Sequence, residues 1–202
     1  MKTISREAEC SLEIKRSKFI GRSFRCATAE DALAAVKKVK ESWRDATHHC
    51  WAFRTGTAGD QARFDNGGEP RGTAGPPILD ALTNAGVTNT LIVVTRYYGG
   101  TKLGAGGLVR AYGGAARRVL ELSGLKELRL MKEIRAPLPY NLLSRMENYM
   151  LCEGFEITGR DFSEHVVLKL KIPSDREADF RVFYSELVGG KLVYTVIGEE
   201  TL

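Results

Sequence analysis

Apolar and polar positions follow two rhythms along this chain, and each change of rhythm marks an element. Residues 91–95 are a short β-branched and apolar run, which suits a strand buried on both faces. From about Gly107, the residues Leu108, Val109, Tyr112, Ala116 and Val119 recur at helical spacing and predict a helix. Upstream, residues 12–27 have strand character, with Arg16, Ser17 and Lys18 at a hairpin tip. Thr28 and Asp31 form a capping-box pattern before a helix striped by Ala32, Val36 and Val39, with Lys37, Lys38 and Lys40 on its wet face. Residues 48–54 read as a strand that puts His48 and Cys50 on one side and His49 on the other, with Trp51 and Phe53 as core residues. Residues 55–75 are rich in Gly, Asp and Asn and predict a long loop. Pro76 and Pro77 then enter the first turn of a short helix carrying Ile78, Leu79 and Leu82.

A second series of elements starts near Met131. Ile134, Ala136 and Leu138 alternate as in a strand, and Pro139 opens a helix with Leu142, Leu143, Met146 and Met150. A strand over 155–161 and another carrying Val166, Leu168, Leu170 and Ile172 follow. Ser174 and Glu177 form a capping-box pattern for a helix with Phe180, Phe183, Tyr184 and Leu187, and residues 192–197 make the last strand. The order β-α-β-β-α-β reads as a ferredoxin-like unit. The expected fold class is therefore α+β, in two domains over 1–130 and 131–202.

Charge sharpens that division. The net charge of +5 is unevenly shared: residues 1–130 hold 21 Lys and Arg against 13 Asp and Glu, or +8, and residues 131–202 hold 9 against 12, or −3. The first part is the one suited to an anionic partner. The start, MKTISREAEC, lacks the apolar core of a secretory signal, and no apolar run has membrane-spanning length, so a cytoplasmic location without a membrane partner is expected. Cys10, Cys26, Cys50 and Cys152 are widely spaced, which argues against a zinc site or a disulfide framework.

The chemistry concentrates between the strand at 91–95 and the following helix. Arg96, Tyr97, Tyr98, Gly99, Gly100, Lys102, Gly104, Gly106, Gly107 and Arg110 form a glycine-rich, basic and aromatic stretch. Strand, glycine loop and helix can present backbone N–H groups and a helix N-terminus to an anion. It is not a Walker A loop, because Lys102 is followed by Leu103, and it is not a dinucleotide fingerprint, because Val109 stands where the third glycine belongs. Packing alone is the competing reading of the glycines. Arg96, Lys102 and Arg110 are expected to form one anion-contacting surface, with Tyr97 and Tyr98 as stacking surfaces. Asp65, Glu69, Arg71 and Thr73 lie in the preceding loop as an accessory set, read as solvated loop charges with local hydrogen bonds. No catalytic set, metal or cofactor is called for.

SKFIG at 17–21, HHCWAFR at 48–54, GEPRGTAG at 68–75 and VVTRYYGGTKLGAGGLVRAYG at 93–113 resemble the IMPACT family, on its bacterial YigZ-like branch. The resemblance implies a first domain folded like the second domain of ribosomal protein S5, followed by a ferredoxin-like domain. It also implies a role in regulating translation, as eukaryotic relatives do through a protein partner, with no enzymatic activity firmly attached. Family members usually have two aspartates before the Gly-Glu-Pro, where this chain has Asn66 and Gly67. That departure argues against a metal or acid–base role for this loop.

Three functions stay open on the sequence. The first is a non-enzymatic regulator linked to translation that binds RNA or the ribosome through the basic domain. The second is a protein-interaction regulator, and the third an enzyme or carrier for a small phosphorylated ligand at the glycine-rich loop.

Overall fold

β6 (Thr90–Tyr97) is the strand on which both layers of the first unit rest. Its alternate side chains enter two separate cores: Leu91 and Val93 pack with one cluster, Ile92 and Val94 with the other. The computed structural model describes residues 1–56 and 58–201, and the chain divides into two compact units, Met1–Glu127 and Leu128–Leu202. The fold is α+β with antiparallel sheets.

In the first unit β6 is the centre of a five-stranded sheet ordered β2-β3-β6-β4-β5. Its neighbours are β2 (Ala8–Ile14), β3 (Ser17–Arg25), β4 (His48–Thr55) and β5 (Gln61–Asp65), all antiparallel. A two-stranded ribbon joins β1 (Lys2–Ile4) to β7 (Leu125–Glu127). Helix α1 (Ala29–Ser42) packs Ala32, Val36 and Val39 on Trp51, Phe53, Leu91 and Val93, and its Thr28–Asp31 capping box is formed. Helices α2 (Gly75–Asn84) and α3 (Ala105–Ser123) cover the opposite face, where Ile78, Leu82, Ala111, Tyr112 and Val119 meet Phe19, Cys50, Ile92 and Val94.

The second unit holds a four-stranded antiparallel sheet ordered β11-β8-β10-β9, from β8 (Leu130–Leu138), β9 (Glu156–Phe162), β10 (Val166–Pro173) and β11 (Thr195–Thr201). Helices α4 (Leu143–Glu153) and α5 (Glu177–Val188) lie on one face, where Met146, Met150, Phe180 and Tyr184 pack on Ile134, Ala136, Leu168 and Leu170. Gly154 and Gly189 end the two helices in the left-handed conformation.

Several elements differ from the sequence pattern. The expected loop at 55–75 contains β5, whose residues are all exposed. An edge strand held by backbone pairing to β4 needs no apolar alternation. The hairpin tip sits at Lys15 and Arg16, both at positive φ, and Ser17 already belongs to β3. Helix α3 begins at Ala105, two residues early, and its Val109 faces solvent. Ser174 caps nothing: a 3-10 turn (Ser174–Arg176) precedes α5, and the buried Ser174 Oγ has no partner among the described residues. β11 starts three residues later than expected.

Candidate functional site

The period of β6 that sends Ile92 and Val94 toward α3 also sends Arg96 there. In register, Arg96 stands opposite Phe19 on β3 and His48 on β4. It is 5% exposed, and a guanidinium buried alone would cost several kcal/mol. Glu69, 8% exposed, supplies the counter-charge: Arg96 Nη1 donates to Glu69 Oε1 at 2.6 Å. Tyr112 of α3 donates its hydroxyl to the same oxygen at 2.7 Å. Arg96 Nη2 donates to Ser17 Oγ at 3.3 Å, and Nε has no acceptor among the described residues. The guanidinium lies between two rings, its carbon 5.4 Å from the centre of Phe19 and 5.3 Å from that of Tyr98.

Asn66 builds the loop that delivers Glu69. Its side-chain oxygen accepts the amides of Ala74 and Gly75 at the start of α2. Its carbonyl accepts the Glu69 amide at 2.9 Å and the Cys50 thiol at 3.0 Å. An asparagine therefore holds this loop by hydrogen bonding alone. His48 closes the other side. Its Nδ1 is 2.9 Å from the Gly67 carbonyl, which can only accept, so Nδ1 carries a proton, and in the neutral form of the ring the lone pair is on Nε2. Nε2 is 3.9 Å from Glu69 Oε1.

Above this network lies a cleft of about 520 Å³, with His48, Glu69, Arg96, Tyr98 and Lys102 in its lining and the start of α3 at its mouth. Gly104 is the N-cap, at φ 74, a conformation costly for other residues, and offers no side-chain cap. The first amide to bond within the helix is that of Leu108, to the Gly104 carbonyl. The amides of Ala105, Gly106 and Gly107 make no hydrogen bond among the described residues. No acidic residue occupies the first turn, so the positive end of a 19-residue helix is open.

The expected site residues thus separate into groups. Tyr98, Lys102 and Gly104 line the cleft, with Arg96 and Glu69 buried in its wall. Arg96 is not on the surface with Lys102 and Arg110 as the sequence suggested, because the strand period turns it under α3. Glu69 is likewise not a solvated loop charge. Arg110 is exposed, and its guanidinium lies over Gly106 on the outside of the first turn. Tyr97 is half-buried and donates to Asp45 at 3.1 Å. Gly99 packs on the Arg16 backbone, and Gly107 packs on Leu103. Gly100 has positive φ, and Thr101 beside it is exposed. Asp65 accepts the Gly67 amide at 2.6 Å, Thr73 is buried and donates to the Pro70 carbonyl at 2.7 Å, and Arg71 is exposed. His48, Tyr112 and Ser17 are partners that the sequence did not single out for the site. The alternation of 48–54 signalled only that His48 shares a face with Cys50.

Cys50 is fully buried beside this network, and burial pushes its thiol up to about 12. Burial also raises the Tyr112 phenol, which stays a proton donor to Glu69. Among the described residues no group of three or more His, Cys, Asp or Glu is arranged to hold a metal ion, and no helix is long and apolar enough to cross a membrane.

The sequence of the site has relatives. The Impact N-terminal domain matches residues 15–120, a span that contains every residue of the cleft. IMPACT family member YigZ of Escherichia coli is 36% identical over 93% of this chain and 93% of its own. IMPACT family member YvyE of Bacillus subtilis is 34% identical over 94% of this chain and 87% of its own. A solved structure described as that of a hypothetical protein superposes with a TM-score of 0.66 at 32% identity, covering 98% of each chain. On the domain match and on relatives that align over most of its length, this chain belongs to the IMPACT family.

Proposed function

We propose that this protein is a regulator linked to translation that acts by binding, and that its basic N-terminal unit takes RNA or the ribosome at the mouth of the cleft. Family membership supports the link to translation. The observation that carries the binding reading is the uncapped start of α3: three free amides open beside exposed Lys102, with exposed Arg110 on the outside of the same turn. Free amides at the positive end of a helix suit phosphate oxygens. Tyr98, 45% exposed next to them, offers a ring to a base. The charge of +8 over residues 1–130 attracts such a partner over distance. Lys102 and Arg110 contact phosphate and position the chain; they do not read sequence.

In architecture, the first unit is read as like the second domain of ribosomal protein S5. The strand order β11-β8-β10-β9 with both helices on one face supports a ferredoxin-like second unit. The two are read as domains that fold separately, in a cytoplasmic protein.

Crosslinking in cells followed by recovery of the protein, with and without ribonuclease, tests the function. Ribosomal RNA is expected in the untreated sample. Recovery of a protein partner alone, unaffected by ribonuclease, overturns the RNA reading.

A further inference from the structure

The cleft contains more than a phosphate site requires. Its wall carries a carboxylate oxygen and an imidazole nitrogen that make no hydrogen bond among the described residues. Glu69 Oε1 is taken by Arg96 and Tyr112, but Oε2 makes no hydrogen bond among the described residues. His48 Nε2, which holds the lone pair in the neutral form of the ring, is 3.9 Å from Glu69 Oε1 and makes no hydrogen bond among the described residues. Glu69 is more than nine-tenths buried and lines the cleft, but Oε2 is not sealed from solvent, so a donor entering the cleft can reach it. Beside it stands Tyr98, a residue 45% exposed with the Arg96 guanidinium against its ring, and Leu103 and Leu108 form apolar walls.

We propose that this cleft binds a guanosine nucleotide unit, its base against Tyr98, its N1–H and N2–H groups donating to Glu69 Oε2 and His48 Nε2, and its phosphate on the α3 amides and Lys102. The proposal rests on the RNA-binding reading and deepens it, since it adds recognition of one base to contact with phosphate. Guanine presents two adjacent donors on its Watson–Crick edge. Adenine, cytosine and uracil place a donor next to an acceptor there, which would point a lone pair at the carboxylate or at the imidazole nitrogen. Proteins that read single-stranded RNA take the base edge in this way while stacking its face on an aromatic ring. A cleft of about 520 Å³ is of the size that encloses such a ligand. RNA and a free nucleotide are the two sources of such a unit, and the chemistry of recognition is shared.

The test is a titration of the full chain with guanosine, adenosine and uridine monophosphates, and with two uridine hexanucleotides carrying one internal guanosine or one adenosine. The guanosine ligand of each set is expected to bind roughly tenfold more tightly than its counterparts, the effect of one charge-assisted hydrogen bond. Glu69→Gln and His48→Leu are each expected to erase that preference. His48→Leu leaves the Arg96 pair in place and so keeps the test open if Glu69→Gln does not fold. Equal binding of the two hexanucleotides and of the monophosphates overturns the guanosine site and leaves the RNA reading standing. Preference for guanosine monophosphate without binding of either hexanucleotide supports the guanosine site with a free nucleotide as its source, and sinks the RNA reading. A guanosine preference that survives both substitutions overturns the assignment of Glu69 and His48.

Discussion

Arg96 Nη1 and Glu69 Oε1 lie 2.6 Å apart beneath α3, joining residues 27 positions apart in the chain. Their side chains are 6% and 3% exposed. A pair so buried is strongly asymmetric in its response to substitution: losing one member strands the other. Arg96→Met and Glu69→Gln are each expected to cost about 3–5 kcal/mol in urea unfolding. Tyr112→Phe should cost about 1–2 kcal/mol, because it removes one donor to the carboxylate and no volume from the core. The double variant Arg96→Met with Glu69→Met should lose less than the sum of the single losses. Single losses below about 0.5 kcal/mol would show that the pair is not buried in solution.

Two glycines of the same region should respond in opposite directions. A Cβ on Gly99 would lie 1.9 Å from the Arg16 carbonyl oxygen and 2.7 Å from the Ser17 amide nitrogen. Backbone must therefore move, and Gly99→Ala is expected to cost more than about 2 kcal/mol. Gly114 lies inside α3 with nothing within 4 Å of an added Cβ. Gly114→Ala should stabilise by about 0.5–1 kcal/mol. Thermal melts of the two variants decide this, and destabilisation of similar size in both would contradict the packing described.

What the sequence disclosed and what it hid follow from the range of the interactions. The central strand was legible because Leu91 to Val94 are all fully buried and a continuous apolar run is the mark of such a strand. The Thr28–Asp31 cap was legible because both partners lie within one turn. Ser174 and Glu177 have the same spacing, but the chain enters α5 through a 3-10 turn, which removes the geometry a cap requires. β5 was hidden because an exposed edge strand carries no apolar signature. The site was half legible. Lys102 and Gly104 follow from the local glycine pattern, whereas the burial of Arg96 depends on Glu69, Tyr112 and Ser17, and no local pattern ties those three to it.

The cysteines should separate cleanly by reactivity. Cys10, Cys26 and Cys50 are buried, and burial raises all three thiols, Cys26 and Cys50 to about 12. Cys152 on α4 is exposed. At pH 8 a chromogenic disulfide reagent is expected to modify one thiol promptly and the other three only as the chain unfolds, since the thiolate is the reacting form. Prompt modification of Cys50 in the folded protein would contradict its place in the core.

Binding of RNA across a range of salt concentrations tests the role of the α3 terminus most directly. The double variant Lys102→Ala with Arg110→Ala is compared with the unmodified chain. Lys37→Ala with Lys38→Ala, on the exposed side of α1, serves as the charge-matched control. The first variant is expected to bind unrelated RNA sequences more weakly by similar factors, and to lower the slope of log affinity against log salt by about 0.7 to 0.9 per lost contact. The control should leave that slope unchanged. Equal affinity and equal slope for the Lys102 and Arg110 variant and the unmodified chain would contradict the assignment of this surface to RNA.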